Sequence, residues 1–170
     1  MTTSKVKKII LWLCKQIFEI ALTAAIAFLI ARFVAQPIIV EGNSMYPTLQ
    51  DRNFGISSRL FSEKDLKRFD VVCINVGNKK IIKRIIGLPG ENVRYRENKL
   101  YINDEYVEET FLSDDVITDD FMIHVPEGEY FCLGDNREHS TDSRYYGTFG
   151  LNQIFTKDVF LILPFKGVID

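Results

Sequence analysis

Ser44 stands in the stretch Gly42-Asn43-Ser44-Met45-Tyr46-Pro47-Thr48-Leu49, a few residues beyond a long apolar segment. A serine hydroxyl is a weak nucleophile until a base takes its proton. The only histidines, His124 and His139, lie far along the chain, on or beside strand-like segments where a histidine is ordinarily a surface group. A lysine can serve instead if it is neutral. A free lysine is only about 0.04% neutral at pH 7, so the base must be desolvated among apolar walls. Holding its pKa at about 8 costs the fold roughly 3 kcal/mol. The run Ile81-Ile82-Lys83-Arg84-Ile85-Ile86 offers such a setting. On a strand, Lys83 points with Ile81 and Ile85, and Arg84 with Ile82 and Ile86. By pattern alone, Lys83 is either such a base or an edge lysine that snorkels to solvent.

A third stretch, Gly134-Asp135-Asn136-Arg137-Glu138-His139-Ser140-Thr141-Asp142-Ser143-Arg144-Tyr145-Tyr146-Gly147, is dense in charged and hydroxyl side chains and follows an apolar strand. That density suits a fixed loop whose side chains bond one another, a rigid floor beside a site. Other polar clusters are less promising. Asp114, Asp115, Asp119 and Asp120 lack the spacing and glycine of an EF-hand, so a solvated loop is the plain reading and no metal is expected. Cys14, Cys73 and Cys132 are odd in number and have neither CxxC nor Cys/His spacing, which argues against a disulfide framework or a zinc site. Cys73 and Cys132 sit in apolar runs and read as small buried hydrophobes.

These residues need positioning elements. The chain has 170 residues, is 46% hydrophobic and 26% charged, and carries a net charge of -2, which gives no global pull toward nucleic acid. Residues 9–35 form an apolar segment able to span a bilayer core of about 30 Å. A buried core helix or a cleaved signal peptide are the alternatives. Phe33-Val34-Ala35 places a bulky residue where a cleavage site wants a small one, which favours a retained anchor. Lys15 and Glu19 can pair one turn apart, and Arg32 can snorkel at the far end. Lys5, Lys7, Lys8 and Lys15 put the N-terminus, residues 1–8, in the cytoplasm and residues 36–170 outside it.

From Pro37 on, the pattern is short strands and turns. Strands are expected at Ile38–Val40, Val71–Val76, Lys79–Ile86, Val93–Arg96, Lys99–Ile102, Tyr130–Leu133 and Asp158–Leu163. Glu97-Asn98 closes a hairpin, Asn103-Asp104 begins a turn, and only Ser62–Arg68 has a helical look. The fold class is therefore mainly β: an antiparallel barrel or sandwich behind one transmembrane helix.

Taken in order, SMYPTL at 44–49, KRIIGLPGE at 83–91 and GDNREHSTDSRYYG at 134–147 resemble the signature boxes of bacterial type I signal peptidases, in the compact Gram-positive form. ER-type relatives carry histidine where this chain has Lys83. The resemblance runs from the anchor to about Phe165. It implies a plasma-membrane serine endopeptidase that cuts signal-peptide-bearing preproteins after Ala-X-Ala-like sites, with no cofactor and no metal. Ser44 would be the nucleophile and Lys83 the general base. Ser140 would hydrogen-bond Lys83. Asp142 would pair with Arg144, and Asp135 with Arg84. The Ser44 N–H would serve the oxyanion hole. Ile38, Val40, Met45, Leu49, Ile81 and Ile82 would line the substrate pockets, although each apolar one also has a plain core reading.

Two positions depart from the family pattern. Gly42 stands where Gram-negative members carry a hydroxyl, which leaves the second oxyanion donor unassigned. Phe69 replaces the glycine of an Arg-Gly-Asp turn, where a local change in turn geometry is expected. Three rival readings remain: a non-catalytic peptide-binding paralogue, a self-cleaving repressor-type Ser-Lys protein, and a pilin, conjugation or mitochondrial processing peptidase. A substrate would add as an extended strand between residues 38–43 and 79–83.

Overall fold

The computed structural model describes residues 3–113, 115–163 and 167–169. It begins with a 31-residue helix, α1 (Thr3–Phe33), six residues earlier than expected at its start. Within it, Lys5–Ala31 is long and apolar enough to cross a membrane, and its apolar window is unburied among the described residues. Lys15 and Glu19 form the expected pair at 3.8 Å. The Arg32 side chain lies outside the described residues. One residue, Val34, separates the helix from β1 (Ala35–Ile39). Pro37 sits inside β1, tolerated because β1 is an edge strand.

The rest is antiparallel β structure in two sheets. The larger contains β1, β2 (Phe54–Ser58), β3 (Val71–Val76), β4 (Lys79–Gly87), β9 (Glu129–Leu133), β10 (Phe149–Gly150) and β11 (Ile154–Leu163). Its order is β1-β2-β11-β3-β4-β9-β10, with β12 (Gly167–Ile169) also paired to β11. The smaller contains β5 (Asn92–Arg96), β6 (Lys99–Ile102), β7 (Glu105–Val107) and β8 (Phe121–His124), ordered β7-β6-β5-β8. The expected mainly-β architecture is observed.

Local chemistry explains the connections. Glu97 and Asn98 take φ of 50° and 59°, the left-handed pair of a type I′ hairpin turn. The final strand is longer than Asp158–Leu163 because it starts at Ile154. The helical look at Ser62–Arg68 reduces to a single 3-10 turn, Glu63–Asp65. Asp65 accepts bonds from both the Ser62 N–H and the Ser62 hydroxyl at 2.7 Å, and nothing apolar in that turn is buried to extend it.

β4 organises the core because it is covered on both faces. Ile85 joins Val72, Ile74, Tyr130, Cys132 and Phe149 on one side. Ile86 joins Phe131 and Leu133 against Val93, Tyr95, Leu100 and Ile102 of the smaller sheet on the other. At the end of β4, a Cβ on Gly87 would lie 2.5 Å from Val93, so only glycine lets the two sheets meet there. A third cluster, Val40, Met45, Leu49, Val71, Val159 and Leu161, underlies the turn that carries Ser44.

Candidate active site

Lys83 is 2% exposed, and its Nζ donates to Ser44 Oγ at 2.6 Å. The lysine is held by β4, whose pairing with β3 sets Lys83 opposite Val72. The serine is held by a turn in which the Tyr46 N–H donates to the Asn43 carbonyl at 3.1 Å, and by the apolar cluster that includes Met45 and Leu49. Burial pushes the Lys83 ammonium down from 10.5 to about 8, against the opposing pull of Asp142 and Asp135. At that value about a tenth of the amine is neutral at pH 7, a gain of roughly 300-fold over a free lysine. The burial of Lys83, not its proton affinity, removes the snorkelling alternative. His124 and His139 are both exposed.

The loop from Gly134 to Gly147 is bonded as a floor. Asp135 takes Arg84 Nε at 2.9 Å and Nη2 at 2.8 Å, and both side chains are fully buried. Thr48 Oγ1 donates to the same carboxylate at 2.5 Å, which ties the serine turn to β4. Asp142 takes Arg144 Nε at 2.9 Å and Nη2 at 2.8 Å, and also the Gly134 N–H at 3.0 Å. Burial opposes ionisation of Asp142, but Arg144 and the Gly134 N–H outweigh it and hold the carboxyl below its usual range. Asp142 also caps the short helix α2 (Ser143–Tyr146). The Asn136 N–H donates to the Ser44 carbonyl at 3.1 Å, and Asn136 Nδ2 to the Asn43 carbonyl at 3.0 Å. A Cβ on Gly134 would fall 2.4 Å from that Ser44 carbonyl, so glycine is what lets the loop close on the turn that carries Ser44.

Three expectations need correction. Ser140 Oγ is buried, and among the described residues it makes no hydrogen bond to Lys83, so the expected bond is not formed. Lys83 Nζ is engaged by Ser44, while Ser140 packs over Gly134. Leu49 does not line the groove. It is 0% exposed within the cluster under the serine turn, the core alternative for an apolar residue at this spacing. Phe69 does not alter its turn in the expected way. It adopts φ 75°, the left-handed conformation that suits a glycine. Its N–H and carbonyl are both taken up, by the Ile85 carbonyl and by Arg84 Nη1, each at 2.8 Å.

The remaining pocket residues are brought together. Ile38, Val40, Met45, Ile81 and Ile82 line one groove of about 750 Å³ that also holds Ser44 and Lys83. One wall is Gln36–Glu41 and the other is Asn78–Lys83. Among the described residues β1 pairs with β2 alone. The β4–β9 pairing starts at Arg84, so residues 79–82 pair on one side alone. Both walls therefore present open strand edges to the groove.

The sequence reading missed a second buried arginine. Arg137 is 2% exposed and donates to Glu109 at 2.6 Å, to the Tyr95 hydroxyl at 2.7 Å, to Thr118 at 3.0 Å and to the Gly134 carbonyl at 3.1 Å. It binds the site loop to the smaller sheet. Glu109 follows Glu108 in a polar segment, and nothing in that pattern separates it from a solvated pair. Among the described residues no three His, Cys, Asp or Glu side chains converge as a metal site, and Asp114 lies outside those residues.

A family model described as signal peptidase, peptidase S26, matches residues 13–163. The chain is similar to signal peptidase I S of Bacillus subtilis, at 37% identity over 96% of this chain and 94% of the relative. It is 40% identical to signal peptidase I T of the same organism, over 86% of this chain and 83% of that one. Signal peptidase IB of Staphylococcus aureus is 32% identical over 94% and 92%. Among solved structures, a signal peptidase I from Enterococcus faecalis superposes with a TM-score of 0.50 at 34% identity, covering 64% of this chain and all of that one.

Proposed function

The chain belongs to the signal peptidase family, peptidase S26, and from that premise we propose how its residues divide the work. It is a membrane serine peptidase that removes signal peptides, so its substrates are preproteins. Ser44 is the nucleophile and Lys83 the general base; the 2.6 Å contact between them, at a lysine burial has pushed toward neutrality, carries this reading. In the neutral amine form the contact reverses, and the hydroxyl donates to the nitrogen lone pair. Ser44 Oγ then attacks the carbonyl carbon of the residue before the cut as Lys83 takes its proton. The oxyanion accepts from the Ser44 N–H. Lys83 returns the proton to the leaving amine, and a water activated by the same lysine hydrolyses the acyl-enzyme.

The rest of the site supports this assignment. Asp135 with Arg84, and Asp142 with Arg144, hold the floor against the dyad strand. The two open strand edges suit an extended substrate that pairs through its backbone, with small side chains alternating into the groove beside Ile38, Val40, Ile81 and Ile82. The Lys5, Lys7 and Lys8 end of α1 is cytoplasmic and the β domain extracytoplasmic, by the positive-inside rule.

The test is cleavage of a preprotein with an Ala-X-Ala site by the full chain in detergent. Ser44→Ala and Lys83→Ala each lower the rate at least about 1,000-fold while circular dichroism stays unchanged. The rate of the unmodified chain rises about tenfold per pH unit below about 8 and levels above it. Activity that survives in either variant removes the dyad assignment.

A further inference from the structure

The groove that holds the dyad does not end at its apolar walls. Four and three residues back along β4 from Lys83, it is rimmed by Lys79 and Lys80 at the β3–β4 hairpin, and Gln36 of β1 lines the same groove. Neither lysine has an ion-pair or hydrogen-bond partner among the described residues. The Lys80 ammonium is stationed over the Phe155 ring, 5.1 Å from its centroid, and Phe155 itself lines the groove. Lys80 and Phe155 also border a second hollow of about 430 Å³ with Arg59 and Asn75. Arg59 donates to the Gln36 side chain, and its N–H bonds the Val34 carbonyl at the helix exit. The cationic rim thus lies at the end of the groove nearest the anchor, and the dyad lies at the other end.

A preprotein leaves the membrane at that same end. Its chain enters past Lys79 and Lys80 and runs parallel to β4 toward Lys83. A strand advances about 3.3 Å per residue. With the reacting carbonyl beside Ser44, the side chains opposite Lys79 and Lys80 belong to the fourth and fifth residues before the cut. We propose that Lys79 and Lys80 form a subsite for a carboxylate, an Asp or Glu of the signal peptide four to five residues before the scissile bond, and that they reject Lys or Arg there. This rests on the peptidase reading above and adds charge selection to a groove whose other recognition is apolar. An exposed pair of opposite charges contributes modestly, and salt screens it, so the selection is a matter of several-fold preference.

The experiment uses the full chain in detergent and three preproteins that differ only at the fifth residue before the same Ala-X-Ala site: Asp, Ser or Lys. The expected kcat/KM is about fivefold higher for Asp than for Lys at low ionic strength, with Ser between. The ratio falls toward one in 0.5 M salt. In the Lys79→Glu/Lys80→Glu variant the order inverts. Each ratio is taken within one preparation, so any misfolded fraction cancels. Equal cleavage of the three, or a preference that the charge reversal leaves unmoved, overturns the subsite while leaving the peptidase reading intact. Failure to cut any of them overturns both.

Discussion

Lys83 binds its proton less tightly in the fold than in the unfolded chain, because burial lowers its pKa from 10.5 to about 8. Between those values the unfolded state holds more protons, so stability rises with pH across that window. Below about pH 8 the fold carries the whole cost, about 3 kcal/mol. Lys83→Met removes the cost with its volume nearly kept. Its melting temperature is expected to exceed that of the unmodified chain by about 5–10 °C at pH 6–7. The gap closes as pH climbs through 8 toward 10.5; a gap that stays constant with pH would mean that folding does not neutralise Lys83. The residue proposed as the base is therefore among those least suited to the core. The sequence singled Lys83 out, because a lysine amid four isoleucines breaks the strand pattern, but left an edge lysine as the alternative. The outcome for Leu49 was not visible, since an apolar side chain looks the same whether it lines a groove or lies beneath one.

At the scale of elements, the turn into β3 shows how one residue can serve two demands. Phe69 sits at φ 75°, which costs a non-glycine residue about 1 kcal/mol. Its ring packs edge-on to Phe111 with centroids 5.0 Å apart, and Phe111 lies 3.9 Å beneath the Arg84 guanidinium. Burial of such a ring contributes about 2 kcal/mol, more than the strain. Phe69→Gly therefore lowers thermal stability slightly, and Phe69→Ala lowers it further, because alanine keeps the strained dihedral without the ring. An alanine variant as stable as the glycine one would remove the backbone argument. Elements with alternating or continuous apolar runs, such as β3, β4 and the β5–β6 hairpin, were legible because their side-chain periods match their burial. β2 was not: Phe54-Gly55-Ile56-Ser57-Ser58 was not among the expected strands. Its glycine is there because a Cβ would lie 2.6 Å from the Phe160 carbonyl of the neighbouring strand, a constraint set by a partner a hundred residues away. The Arg137–Glu109 tie was hidden for the same reason, since each half is ordinary until the sheets meet.

For the whole molecule, α1 and the β structure make separate contributions. The helix window Lys5–Ala31 is unburied, so deleting residues 1–33 is expected to leave the melting temperature of the β domain within about 2 °C, because no core contact is lost. A short soluble peptide is cut at an unchanged rate. A preprotein embedded in vesicles is cut at least about tenfold more slowly, because co-residence in the bilayer no longer raises the local concentration of enzyme near substrate. A deleted form that melts much earlier would show that the helix supports the fold after all.

The join between these parts is short. Only Val34 separates α1 from β1, and the Val34 carbonyl is bonded by the Arg59 N–H at 2.9 Å. Ser44 follows eleven residues after Phe33, the last residue of α1, so it stands at most about 40 Å from the end of the helix. A joint this short can work as a ruler. With Ser44 as the proposed nucleophile, its height above the lipid would be limited by this joint, and the cut would fall wherever a preprotein reaches that height. Signal peptides would then be sorted by the length of chain between their apolar segment and their small residues, and a one-residue error in that length would be read out as a missed or displaced cut.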